Sequence, residues 1–411
     1  MSIELHALRR IALTEEADGA FATDVTGSAT YLDLPFQEGT ANLTLNLPEL
    51  DAQVAQQRID ARNQIVFGPK SAELSVTVPL GATGVAAGDG SDSPAFDDQA
   101  LLLLLKIVFG GANDENTGGD VTSAAASYQL IGSPAGWDGG ESIGWVNSAG
   151  VFEARSVRGL AATTIQLKDQ LSATPTASDV LYAGTTIHPT ANPLTSIQMI
   201  VEGAEQDDRW LLMGGQVTSA PAITVALGEI PTISFTITFA NWASEPSAAI
   251  TVADYGTFTP VAYTGSLRAI NGVASGSISG VCLDAATINL AMNSPVYTPV
   301  RSGCGTNTIK RYRRNRAVPF CTLTAHIPYE DTSWFTERDD GEYYGLTIQI
   351  GTVAGFVVLL EVPKAQVTNV QLIDEGGLAY QAVTFSATTD SFTTQADDAD
   401  IQYAAFRLHF L

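Results

Sequence analysis

The 411-residue sequence predicts a mostly β protein made of two tandem antiparallel β-sandwich or barrel domains, each flanked by one short helix. Three observations predict it. Apolar and polar residues alternate with period two over many short runs, the mark of half-buried antiparallel strands. Gly or Pro interrupts the chain about every ten residues, as turns between strands require. The same β-rich passage also occurs twice, and a repeat decides an architecture before any single motif does.

The repeat is clearest near the end of each copy. Gln216-Val217-Thr218-Ser219 returns as Gln366-Val367-Thr368-Asn369, an offset of 150 (366 − 216). At the same offset Ser234-Phe235 falls on Thr384-Phe385. Earlier in each copy, Leu43-Thr44-Leu45-Asn46-Leu47-Pro48 resembles Ile288-Asn289-Leu290-Ala291-Met292-Asn293. A strand ending in Pro follows, at Ala72 to Pro79 and again at Cys321 to Pro328. The proline offset is 249 (328 − 79), so copy one holds 99 further residues (249 − 150) between this strand and the Gln-Val-Thr element. The domains are therefore drawn at 1–252 and 253–411, with an insertion at about 110–195 in the first.

Individual elements follow from local chemistry. Leu43, Leu45 and Leu47 alternate with Asn42, Thr44 and Asn46; Leu74, Val76 and Val78 alternate with Glu73, Ser75 and Thr77. Ile233, Phe235, Ile237 and Phe239 alternate with Thr232, Ser234, Thr236 and Thr238. The run Phe356 to Val362 is apolar on both faces apart from Glu361, which marks a central strand or a strand shared between subunits. One helix is well signalled: Ser93 can cap it, Pro94 fits its first turn, Asp97 and Asp98 suit its positive end, and Gly110-Gly111 stop it after Leu101 to Phe109. The matching helix of copy two is Asp331 to Arg338. Between Gly110 and Thr190 the texture loosens into polar, Gly- and Ser-rich sequence, with strands resuming at Val151 to Ala154 and Ala162 to Leu167.

Composition narrows function. With 44 acidic and 20 basic residues the net charge is −24, so the general surface repels phosphate and cannot hold nucleic acid by counterion release. The three cysteines, Cys282, Cys304 and Cys321, lack metal or disulfide-framework spacing, and His6, His188, His326 and His409 are scattered. The N-terminus has no apolar core of signal-peptide length, and the run Leu101 to Phe109 is too short to span a bilayer, which predicts a soluble protein made in a cytoplasm.

No catalytic constellation emerges, and neither a cofactor nor a metal is expected. The loop from Asp114 begins like a calcium loop but places Ala125 where the bidentate Glu is needed. Gly276 to Gly280 has Ile278 where a nucleophile elbow needs Ser. Adjacent acidic pairs such as Asp207-Asp208 suit solvated turns. One basic cluster interrupts the acidic field: Lys310, Arg311, Arg313, Arg314 and Arg316 around Tyr312. It reads as an arm meeting an acidic neighbouring subunit, as a nucleic-acid contact with Tyr312 for stacking, or as a solvated loop.

The order of these features resembles that of the major tail tube proteins of long-tailed bacteriophages. The resemblance rests on the Pro-ended strand, the helix with Gly-Gly, Ile197 to Gly203, Trp210 to Val217 and the strand ending at Phe239. Leu346 to Phe385, including Val362-Pro363-Lys364-Ala365-Gln366-Val367, looks like the closing half of the same fold. It covers most of residues 41–240 and 287–411. It implies two packed sheets flanked by a helix, with inner strands of neighbouring subunits joined into a barrel around a channel, and rings that stack. It implies that the chain's main partner is itself, as a trimeric ring with pseudo-six-fold symmetry or as a hexamer. Other tail proteins join it, DNA passes through without specific binding, and no membrane is involved; the place is a virion tail assembled in the host cytoplasm. Candidate intersubunit residues are the five basic residues of the cluster together with Phe356, Val358 and Leu360. A carboxylate-lined channel is expected to keep DNA mobile. A tail hub or terminator ring is an alternative, as is a carbohydrate-binding adhesin with Trp137, Trp145, Trp210, Trp242 and Trp334 as platforms.

Overall fold

The computed structural model describes residues 10–16, 21–22, 29–47, 49–51, 65–67, 70–82, 100–113, 119–132, 137–161, 164–190, 196–203, 209–244, 251–253, 259–260, 263, 267–271, 281–283, 287–293, 296–301, 309–315, 319–330, 332–390, 393 and 399–411. Copy one opens with β1 (Arg10–Glu15), β2 (Thr30–Asp33) and β3 (Asn42–Asn46). A short hairpin of β4 (Glu49–Asp51) and β5 (Ile65–Phe67) precedes β6 (Ser71–Pro79), β7 (Gly81–Ala82), α1 (Ala100–Phe109) and β8 (Gly110–Asn113). The insertion holds β9 (Gly119–Ala126), β10 (Gln129–Gly132), β11 (Ser142–Val146), β12 (Phe152–Ala161), β13 (Thr164–Leu167) and β14 (Val180–Ala183). Copy one then resumes with β15 (Thr185–Pro189), β16 (Ile197–Glu202), β17 (Arg209–Val217), β18 (Ala222–Ala226), β19 (Thr232–Ser244) and β20 (Thr251–Ala253).

Copy two contains β21 (Thr259–Pro260), β22 (Leu267–Asn271), β23 (Val281–Leu283) and β24 (Thr287–Met292). A hairpin of β25 (Val296–Arg301) and β26 (Ile309–Asn315) follows, then β27 (Cys321–Pro328) and α2 (Ser333–Asp340). It ends with β28 (Tyr343–Ile350), β29 (Val358–Glu375), β30 (Leu378–Ala387), α3 (Ala399–Gln402) and β31 (Arg407–Phe410).

The duplication seen in the sequence is a duplication of topology. Copy one pairs its strands in the order β3, β6, β19, β17, β16, β1, β2, every pair antiparallel. Copy two repeats it with β24, β27, β30, β29, β28, β22, β23. The short hairpin after β3 also has its counterpart after β24. The two prolines occupy one structural position, Pro79 opposite Thr232 and Pro328 opposite Tyr380.

The ladders correct the sequence alignment in two strands. Gln216 faces Thr238 while Gln366 faces Ser386, so Thr238 corresponds to Ser386 rather than to Thr388, on which the sequence offset of 150 places it. Leu43 faces Leu74 and Leu290 faces Leu323, which matches Leu43 to Leu290 instead of to Ile288. Both slips are of two residues, so each strand keeps the same face toward the core. The irregular register between Val367 and Asn369 and the tight Gly376-Gly377 turn of copy two absorb one of them. Self-similarity of Thr- and Ser-rich strands concealed it.

The copies are sewn together. Strand β18, which continues the β17 line beyond residues 218–221, pairs with β19 on one side and with β24 of copy two on the other, from Ala222 opposite Ala291 to Ala226 opposite Thr287. In the reverse direction β15 pairs with the C-terminal β31, which pairs with β29. The result is one connected sheet of 19 strands. A single hydrophobic core runs through both copies and contains α1, whose residues are buried except Lys106. The expected cap and first turn at Ser93 to Asp98 lie outside the described residues. Helix α2 starts two residues later than the sequence suggests and ends in Gly341, at φ 71°, whose N–H reaches the Glu337 and Arg338 carbonyls.

The insertion is more regular than its sequence. Strands β10, β13, β12, β11, β14 and β9 close into a six-stranded antiparallel barrel around Leu130, Trp137, Ile143, Trp145, Val157, Ile165, Leu167 and Leu181. Four of its six strands are only four or five residues long, and the two longer ones, β9 and β12, are rich in Ala, Ser and Gly, so period two is weakly written in them; closure leaves none of them an open edge.

Gly215 sits opposite Phe239, and a Cβ there would come within 2.4 Å of the fully buried Phe239 ring. Gly215→Ala is expected to destabilise the chain by about 1–3 kcal/mol through overpacking, read as a lowered denaturation midpoint in urea with an unchanged slope.

Candidate assembly surfaces

The basic cluster lies on β26, whose hairpin crosses copy one. Ile309 is fully buried in an apolar cluster with Ala12, Ile200, Leu211, Met213 and Ala240, on the face of copy one away from the main core. The Tyr312 hydroxyl reaches the Gly214 and Thr238 carbonyls at 2.9 and 2.5 Å, and its ring meets Phe21 edge-on. Arg311 and Arg313 point to solvent. Lys310 and Arg314 belong to the same strand, and Arg316 lies outside the described residues. A register irregularity between Ile309 and Arg311 lets both Ile309 and Tyr312 anchor the arm inside one chain, while Arg311 and Arg313, which flank Tyr312, are exposed on its outside.

Phe356, Val358 and Leu360 take a different place. Val358 and Leu360 are buried, and β29 is paired on both sides there, with β28 and with β31. Phe356 is half-buried against the same core. Of the two alternatives for this run, the structure has the central strand. Its second apolar face has a specific cover: Val357 and Leu359 pack with Phe152, Ala154 and Leu411, so the inserted barrel sits on copy two.

Glu361, the one charge in that run, is the centre of a buried ionic cluster. Lys168 of the barrel donates to Glu361 Oε1 at 2.8 Å and to Asp390 Oδ2 at 3.2 Å. Arg407 donates to Glu361 Oε2 at 3.0 Å, to Asp390 Oδ2 at 2.8 Å and to the Ile401 carbonyl. His409 places Nε2 3.3 Å from Glu361 Oε2 and Nδ1 2.9 Å from the Thr186 hydroxyl. All five charged or titratable groups are buried. A second cluster joins Arg155, Glu153 and Asp169 of the barrel to Arg268 of copy two. Gln349 of β28 adds hydrogen bonds to the Phe152 carbonyl and the Ala154 N–H.

Burial alone would push Glu361 and Asp390 up, but Lys168 and Arg407 outweigh it and hold both carboxyls below their usual range, Glu361 well below. Burial pulls His409 down more than Glu361 raises it, so this imidazole is neutral in the folded chain. Two cations thus face two anions around a neutral ring. Sequence reasoning flagged Glu361 as an exception in an apolar run, which was the available signal. Lys168, Asp390 and Arg407 are separated by hundreds of residues or by solvent-like local sequence, and nothing local ties them together.

The face of the shared sheet opposite the core is lined by hydroxyls. Thr77 meets Ser234 at 3.0 Å, Ser75 meets Thr236 at 3.3 Å and Thr218 meets Thr238 at 2.7 Å in copy one. Copy two has Thr324 to Thr384 at 3.3 Å and Thr368 to Ser386 at 3.2 Å. On β3, β6, β18, β19, β24, β27, β30 and the outer part of β29, its charged groups among the described residues are Glu73 and the pair His326–Glu375. The described part of this face is close to neutral.

Trp137, Trp145 and Trp210 are buried in cores. Trp242 and Trp334 are half-buried against the main core, with Trp334 meeting Phe385 edge-on and Tyr344 at a tilt. Comparison with protein-family models finds no match, and comparison with curated proteins finds none either.

The ionic cluster predicts an acid dependence. Between their folded and ordinary pKa values Glu361, Asp390 and His409 each bind more protons unfolded than folded, so stability falls as pH falls. The fall starts below about 6.5, the ordinary value of His409, and steepens below 4.5 and 3.8, those of Glu361 and Asp390. Thermal unfolding across pH 3 to 8 measures it. Lys168→Met leaves two buried carboxylates on one arginine and is expected to cost about 3–5 kcal/mol. Combined with Asp390→Asn it is expected to cost less than the sum, because the lost charges offset.

Proposed function

We propose that this chain is the ring-forming subunit of a hollow virion tube, of the kind that carries DNA through a long phage tail. The observation that carries the reading is the joint between the copies. Two sheets of one topology stand in sequence, and the outer part of a hairpin from the first (β18) pairs with the first strand of the second (β24). Such a joint is head-to-tail: the surface that gives differs from the surface that receives. Repeated head-to-tail joints generate rings when the rotation closes. Two copies per chain make a trimer with six pseudo-equivalent sheets the simplest closed form.

The lining chemistry agrees with passage of DNA. In this reading the hydroxyl-rich face is the channel wall. Serine, threonine and asparagine side chains hold water, and they release no counterions from a polyphosphate, so the strand has nothing to adhere to. The inserted barrel, held on copy two by buried charge pairs, covers the core-averted face at β28 and the first part of β29, strands that do not carry that wall. The resemblance of the sequence to tail tube proteins, in the order of its elements, supports the same reading.

Purified protein viewed by negative-stain microscopy at increasing concentration tests it. Long hollow rods are the expected result. Isolated rings that never stack would make the chain a hub or terminator of a tail, and a monomer at every concentration would remove the proposal.

A further inference from the structure

We propose that the free end of the long hairpin of copy two, Val370–Glu375 of β29, pairs with β3 of a second copy of this chain, in the register Leu372 opposite Leu43 and Ile373 opposite Asn42. The template is inside the molecule. In the joint already formed, Ile223 of β18 faces Leu290 of β24, Thr224 faces Asn289, and the Met292 N–H reaches the Pro221 carbonyl at 3.0 Å. Topology assigns each of these residues a counterpart. Ile223 faces Ile233 across its own hairpin and Leu372 faces Gln381, positions that coincide once Pro79 is laid on Pro328. Leu290 corresponds to Leu43 through their shared partners Leu323 and Leu74. Applying the same step once more carries β18 onto the outer part of β29 and β24 onto β3.

Both new surfaces have an unused side. Among the described residues, β3 pairs with β6 alone, and Val370–Glu375 pair with β30 alone. The side chains differ in the way a missing partner predicts. Ile223, covered by the internal joint, is 0 % exposed, whereas its counterpart Leu372 is 61 % exposed although it lies on the core side of its strand beside buried Val370. On the receiving strand, Leu43 and Leu45 already face the core, so pairing would continue that core over Leu372 and Val370. On the opposite face the same register brings Gln371 to Thr44, which extends the polar wall, and Ile373 to Asn42, and it sets no like charges opposite each other. An open strand edge beside an exposed leucine is a template for another chain, and continuity with the internal joint names that chain as a second copy. This deepens the tube reading and rests on it for closure of the ring.

Cysteine pairing tests the register. In a Cys282→Ser, Cys304→Ser background, burial pushes the remaining Cys321 thiol up to about 12 and keeps it inert. Asn42→Cys with Ile373→Cys puts two cysteines directly opposite each other, at a spacing a disulfide spans. Oxidation is expected to yield covalent multimers of discrete size, and Asn42→Cys with Gln371→Cys, two residues out of register, is expected to yield far fewer. Leu372→Asp alters an exposed side chain, so the monomer keeps its circular dichroism and thermal midpoint, while the concentration needed for assembly rises about tenfold or more. Hollow rods that form with no 42–373 cross-link, and at unchanged concentration in Leu372→Asp, would overturn this joint and leave the tube reading standing. Cross-linked chains without a bore would support the joint and remove the tube. Absence of any multimer would overturn both.

Discussion

Everything in this fold follows from the need of strand edges to find partners. Each copy is an open sheet, and an open sheet ends in rows of unpaired N–H and C=O groups. The chain solves this repeatedly with strands from elsewhere in its own sequence. The outer hairpin of copy one closes on β24, β15 closes on the C-terminal strand β31, and the insertion closes on itself as a barrel. Each solution draws sequence-distant residues together, which is why a chain of alternating short strands yields one connected sheet and one continuous core instead of two beads.

The second constraint is cover for the far face of that sheet, and the copies meet it differently. Copy one presents small and apolar groups, Ala12, Ile200, Leu211 and Met213, and receives Ile309 and Tyr312 of the β25–β26 arm. Copy two presents Arg268, Thr347 and Glu361 along the equivalent ladder and receives the inserted barrel. An ionic interface costs more to desolvate than an apolar one and gains little net stability. What it supplies is selectivity of seating, because a barrel displaced by one strand would take Lys168 away and leave the buried Glu361 and Asp390 sharing Arg407 alone. Divergence of the repeats is thus concentrated where their covers differ, while the core-facing alternation and the hydroxyl face stay alike.

Much of the strand layout was legible in the sequence because burial on one side writes period two directly: Leu74, Val76 and Val78, or Ile233 to Phe239, could not be read another way. The duplication was legible for the same reason, although Thr- and Ser-rich strands tolerate a two-residue slip without changing face, and the correspondence slipped with them. The barrel was not legible. Its strands owe their stability to closure, and closure leaves no local signature in Gly119 to Gly132. Of the candidate surface residues, the described part of the cluster at 310–316 lies on the β25–β26 hairpin, where Tyr312 makes the contact with copy one and Arg311 and Arg313 are exposed. The run Phe356 to Val362 was read as apolar on both sides, and it is; its second cover comes from a segment about two hundred residues away, a distance over which pattern carries no information.

The position of Arg407 has a consequence for how the molecule comes apart. It stands on β31, the strand that joins β15 to β29. The same side chain holds Glu361 and Asp390, which in turn hold Lys168 of the barrel. Peeling that strand away would therefore break a seam between the copies and strip two buried carboxylates of their arginine in one step. The seam, the barrel seat and the strand open together as one cooperative unit, with no partly opened form of low energy between.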